Sequence, residues 1–108
     1  MATPEFIDAD TLAAWLADGS VDLVDVREEA EFAQARIPGS RLIPLSGFDP
    51  DAVELPADKK VVFHCKSGVR CGHAADRMIA NGSDRQFYRL QGGILGWVQS
   101  GHTVEPGA

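Results

Sequence analysis

Helix and strand patterns alternate along the whole chain, and this constrains the fold more than any other feature, because strands separated by helical crossovers lie parallel in one sheet. A short apolar start at Phe6 and Ile7 leads into DADTLAAWLADG, 8–19, where Asp8 or Asp10 can cap a helix, Leu12, Trp15 and Leu16 share a face, and Gly19 stops it. VDLVDV, 21–26, reads as a buried strand. REEAEFAQA, 27–35, reads as a helix with early acids and Phe32 as its apolar anchor, before IPGS breaks the pattern. RLIPL, 41–45, is a short strand that Pro44 places near an edge or ends. DPDAVELPAD, 49–58, allows at most a couple of helical turns between its prolines. KKVVFHC, 59–65, is the strongest strand signal. From Arg70 a helix follows with Ala74, Ala75, Met78 and Ile79 inward, closing at Asn81 and Gly82. QFYRL, 86–90, is another strand, and GGILGWVQSG, 92–101, a last short helix.

At 108 residues the chain is read as one domain over 1–108, with a monomer as the simplest assumption. Its net charge of −6 argues against nucleic acid, which needs a largely positive face. The longest run without a charge, Leu90 to Val104, is too short and too polar to span a bilayer. Two cysteines need no disulfide framework, and MATPEFIDAD lacks the basic start and apolar stretch of a signal peptide, so a cytoplasmic location is expected.

In a parallel sheet, sites collect outside the carboxyl ends of the strands. Cys65 ends one strand, Asp25 to Arg27 end another and Leu90 to Gly93 end a third, so these segments are expected to meet on one edge. After Cys65 the chain must turn from strand to helix within KSGVR, and Gly68 permits a backbone conformation that a side chain opposes. Successive N–H groups in such a turn form a nest for an anion. With Lys66, Ser67, Gly68, Val69, Arg70 and Cys71 around it, the Cys65 sulfur is expected to favour thiolate over thiol.

Three stretches together resemble the single-domain rhodaneses: DVREEAEFAQARIPGS at 25–40, CKSGVR at 65–70 and LQGGILGW at 90–97. The resemblance implies a rhodanese-like three-layer α/β/α domain with a central, mostly parallel sheet of about five strands. It also implies sulfur transfer without a cofactor. Cys65 would take the outer sulfur of a small anionic donor such as thiosulfate, become a persulfide, and pass the sulfur to cyanide, a thiol or a protein acceptor. Lys66 and Arg70 would attract the donor, and the amides from Lys66 to Cys71 would stabilise the sulfur. Related phosphatases and arsenate reductases place five residues between Cys and Arg; here four intervene, Lys66 to Val69, a smaller ring that suits one sulfur better than a phosphate.

The sequence departs from the common pattern at Arg36, where many relatives have His, and at Cys71, where Ser or Thr is frequent. Cys71 reads as a core filler, but a second thiol beside a persulfide would also permit a dithiol redox protein. A regulatory module that has kept the loop without turnover is a further alternative. Zinc on His64, Cys65, Cys71 and His73 is disfavoured, because alternation points His64 and Cys65 to opposite faces; His64 is expected to be packed and His73 exposed. Asp25 and Arg27 read as a scaffold pair, Gly92 and Gly93 as a close turn beside the loop, Trp97 as core. Glu28, Glu29, Glu31 and Asp49 to Asp51 read as solvated faces.

Overall fold

A computed structural model describes residues 3–106, so the domain limits at 1 and 108 and the N-terminal reading from Met1 lie partly outside the described residues. Five strands form one parallel sheet: β1 (Glu5–Ile7), β2 (Val21–Asp25), β3 (Ser40–Leu42), β4 (Lys60–His64) and β5 (Phe87–Leu90), in the order β1-β5-β4-β2-β3. Among the described residues, three α-helices connect successive strands, α1 (Ala9–Asp18), α2 (Glu29–Gln34) and α3 (Arg70–Ala80), and a fourth, α4 (Gly93–Gln99), follows β5. The parallel α/β architecture expected from the alternation is the one observed.

The two faces of the sheet carry separate cores because strand side chains alternate. On one face Val24, Val26, Val61, Phe63 and Phe87 pack with Cys71, Ala74, Ala75 and Met78 of α3, and Phe63 touches both Phe48 and Phe87. On the other, Leu23, Val62 and Leu90 pack with Leu12 of α1 and Ile94 and Trp97 of α4. β4 is central and apolar on both faces, which is why it gave the clearest strand pattern.

Local signals account for the helix ends. Asp8, rather than Asp10, caps α1 by accepting the Thr11 N–H at 2.8 Å, and Gly19 closes it in the left-handed region. Phe32 is not the anchor of its helix: α2 buries no residue, and the fully buried side chain there is Ile37, just beyond it. Phe32 is half-buried, with the Arg36 guanidinium 4.8 Å above its ring. The segment 49–58 forms turns, and the helical turn of this region is a 3-10 turn at Leu45–Gly47.

Candidate active site

Three strand ends converge as the parallel order requires. The Val26 N–H donates to the His64 carbonyl at 2.9 Å, joining β2 to β4, and the Ile94 N–H donates to the Cys65 carbonyl at 2.9 Å, joining the turn after β5 to the same place. The first joint is locked by a buried ion pair. Arg27 Nη2 lies 2.7 Å from Asp25 Oδ2, Arg27 Nε reaches both carboxylate oxygens at 3.0 Å, and Arg27 Nη2 also donates to the Ala35 carbonyl at 2.6 Å. His64 stands opposite Asp25 in register, wholly buried, with Nε2 3.5 Å from Asp25 Oδ2. Burial lowers its pKa more than Asp25 raises it, so the imidazole is neutral. Asp25 and Arg27 therefore tie α2 and its loop to the sheet.

Cys65 leaves β4 on the face covered by α3, opposite His64, and is 1% exposed. Gly68, at φ +111°, turns its N–H onto the Cys65 sulfur at 3.1 Å. The Cys65 pKa falls to about 4: the Cys71 thiol is the strongest contributor, burial opposes it, and the amides of Cys71, Gly68 and Ser67 add to the fall. At neutral pH the sulfur is a thiolate held by donors. The Cys71 thiol in turn donates to the Gly68 carbonyl at 3.2 Å.

The two loop cations differ. Lys66 is exposed at the edge of a groove of about 390 Å³ lined also by Ile94, Leu95, Val98 and Val104. Arg70 is committed to Glu31 through two bonds, at 2.7 and 2.9 Å. This pairing holds the Glu31 carboxyl at about 2, chiefly through its bond to Arg70. Glu31, read from the sequence as a solvated residue, thus belongs to the site, while Glu28 accepts a hydrogen bond from the Ser46 hydroxyl at 2.6 Å. The sequence signal for Glu31 is its place directly before Phe32, the acidic and aromatic pair of the 25–40 stretch; its partner, on a different helix, is not visible there.

Arg89 also escaped the sequence reading. From β5 its Nη2 donates to the Gly68 carbonyl at 2.6 Å, and a Cβ on Gly72 would lie 2.7 Å from that nitrogen. His73 is exposed, Trp97 is buried with Nε1 donating to the Thr103 carbonyl at 2.8 Å, and Arg36 pairs with Glu105 at 3.3 Å on the surface.

The rhodanese-like domain family matches residues 8–100. The chain belongs to the rhodanese family. A sulfurtransferase of Allochromatium vinosum is 38% identical over 96 residues, covering 88% of this chain and 89% of that protein. Bacillus subtilis YqhL is 41% identical over 75 residues, of which the alignment spans 69% of this chain and 59% of YqhL. Among solved structures, a rhodanese-related protein from Thermoplasma volcanium superposes with a TM-score of 0.78 at 27% identity, covering 94% of this chain and 97% of that one. A thiosulfate sulfurtransferase from Pseudomonas aeruginosa gives 0.81 at 29% identity, covering 97% of this chain but 20% of the larger protein. This rhodanese domain shares the fold of those structures, and its Cys65 loop follows the central strand of the sheet.

Proposed function

We propose that this rhodanese is a sulfurtransferase that moves a sulfane sulfur from thiosulfate, or a related persulfide donor, to cyanide or a thiol through a Cys65 persulfide. The observation that carries this is the Cys65 thiolate set among loop amides at the end of β4. The thiolate attacks the outer sulfur of thiosulfate; the new S–S bond forms as the bond to the sulfonate sulfur breaks, and sulfite leaves with that electron pair. The persulfide charge then rests on the terminal sulfur, where the same donors oppose its return to solvent. An acceptor thiolate or cyanide attacks the terminal sulfur and restores Cys65. The small loop suits one sulfur, and the two buried free thiols suit a reducing compartment such as the cytoplasm.

Lys66, exposed beside the groove, supplies the positive charge for an anionic donor, whereas Glu31 offsets Arg70. Glu31→Gln is therefore expected to lower KM for thiosulfate by roughly two- to five-fold, the scale of a partly exposed charge pair, because the amide oxygen can still accept the Glu28 N–H now bound at 3.0 Å. Steady-state kinetics against thiosulfate concentration check this, and an unchanged or raised KM would remove Arg70 from donor attraction.

The function itself is tested by supplying thiosulfate and cyanide and measuring sulfite and thiocyanate. Formation of both is expected, with no hydrolysis of an aryl phosphate. Absence of both, with thiosulfate and with glutathione persulfide alike, would leave the regulatory-module reading standing.

A further inference from the structure

Cys71 is a second buried thiol, one that carries none of the transferred sulfur in the reaction above. It is wholly buried in the first turn of α3 and belongs to the same core as Cys65. Gly68 joins the two: its N–H donates to the Cys65 sulfur at 3.1 Å and its carbonyl accepts from the Cys71 thiol at 3.2 Å. Arg89 donates to that same carbonyl at 2.6 Å, and Gly72, lacking a side chain, leaves room for its guanidinium. Arg89 forms no ion pair among the described residues, and its Nε is buried without a partner. An uncompensated cation thus lies behind the second thiol.

We propose that Cys71 is a resolving thiol: once Cys65 carries a sulfane sulfur, Cys71 attacks the Cys65 sulfur, closes a Cys65–Cys71 disulfide and expels the terminal sulfur as hydrosulfide. This rests on the sulfurtransferase reading above and adds an acceptor-independent exit for the sulfur. The step balances. One persulfide anion and one thiol give one disulfide and one HS⁻; the bond to the terminal sulfur breaks and its electron pair leaves with that sulfur, which takes the proton of Cys71. The two cysteine sulfurs are oxidised and the sulfane sulfur is reduced. An external dithiol returns the disulfide to two thiols.

Charge explains why Cys71 waits until Cys65 is loaded. In the resting site the neighbouring Cys65 thiolate, and then burial, raise the Cys71 pKa, while Arg89 acts in the opposite sense. Persulfide formation moves the negative charge off the Cys65 sulfur to an atom one S–S bond away, about 2.05 Å. The main restraint on Cys71 ionisation weakens and the Arg89 cation stays in place, so Cys71 becomes the nucleophile only after loading.

The test treats the reduced full chain and its Cys71→Ser and Cys71→Ala variants with thiosulfate and no acceptor. Sulfite, sulfide and intact mass are read, and cysteine peptides are then mapped after alkylation. The wild type is expected to release sulfite and sulfide in about equal amounts, lose two hydrogens, and show Cys65 linked to Cys71. Both variants are expected to load Cys65 more slowly, because its thiolate loses the Cys71 thiol, but for every sulfite they release to retain one added sulfur on Cys65 and to release no sulfide. A wild type that retains its added sulfur, or variants that release sulfide as the wild type does, would overturn the resolving role and leave sulfur transfer intact. No sulfite from any of the three proteins would overturn the transfer reading and the resolving step together.

Discussion

Cys65→Ser is expected to abolish sulfur transfer and, in the same protein, to remove a large part of the pH dependence of stability between about pH 5 and 8. The first effect follows from the nucleophile: a serine hydroxyl among the same amides remains protonated and forms no persulfide. The second follows from the thiolate. Its pKa is about 4 in the folded chain against an ordinary value of 9.0. Unfolding at intermediate pH therefore takes up a proton at this sulfur. The sign is that of a depressed acid: the stabilisation is complete above the unfolded pKa and is lost as pH falls through the folded one. Within that window stability rises with pH by about 1.4 kcal/mol per unit for one such proton. Serine does not titrate there, and the remaining groups largely cancel in the difference between the two proteins. Denaturant unfolding of both, fully reduced, at several pH values checks this: the stability gap should widen as pH rises. A constant gap would mean that folded Cys65 is not a thiolate.

Gly93→Ala is expected to cost about 3 kcal/mol of stability, summing a left-handed backbone penalty and two weakened hydrogen bonds, and to lower transfer steeply. Gly93 has φ +59°, and a Cβ there would stand 2.5 Å from the carbonyl oxygens of both Cys65 and Lys66. Both neighbours are backbone, with no flexible side chain to swing away. These carbonyls receive the Ile94 and Leu95 N–H groups at 2.9 and 3.2 Å, so relieving the contact separates α4 from the strand end that carries Cys65. Gly82→Ala is the control: φ is +99°, but nothing lies within 4 Å of its Cβ. It should cost about 1–2 kcal/mol, the conformational penalty alone, with transfer retained. Equal losses in the two variants would show that the Gly93 contact does not hold the loop.

What could be read from the sequence was what chain order determines. The buried strands 21–26 and 59–65 and the inward face of the helix after Arg70 are local patterns, and the parallel rule then brought Asp25, Cys65 and Gly93 to one edge. β1 was seen only as an apolar start, because three residues give almost no period and Phe6 is 54% exposed. Hydrophobicity alone makes Phe32 read as an anchor, although its six-residue helix buries none of its residues and Ile37 fills the core instead. The pairings that shape the site are long-range. Glu31 meets Arg70 across 39 residues, and Arg89 meets Gly68 across 21; a charge in sequence does not reveal which distant partner will neutralise or surround it.

The strand order has a consequence for how the chain is made. β1, residues 5–7, pairs with residues 88–90 of β5 and, among the described residues, with no other strand. β1 therefore remains unpaired while the chain from residue 8 to β5 is synthesised. β2 has β3 as an earlier partner, but its pairing with β4 waits for residues 60–64, and no hairpin can form between any of these parallel neighbours. Such distant pairings make the closing of this sheet a late and comparatively slow event. The Cys65 loop, whose last support comes from the turn after β5, is completed only with it, so a nascent chain holds its cysteine in an unsupported loop until residues 94 and 95 have been made and folded back.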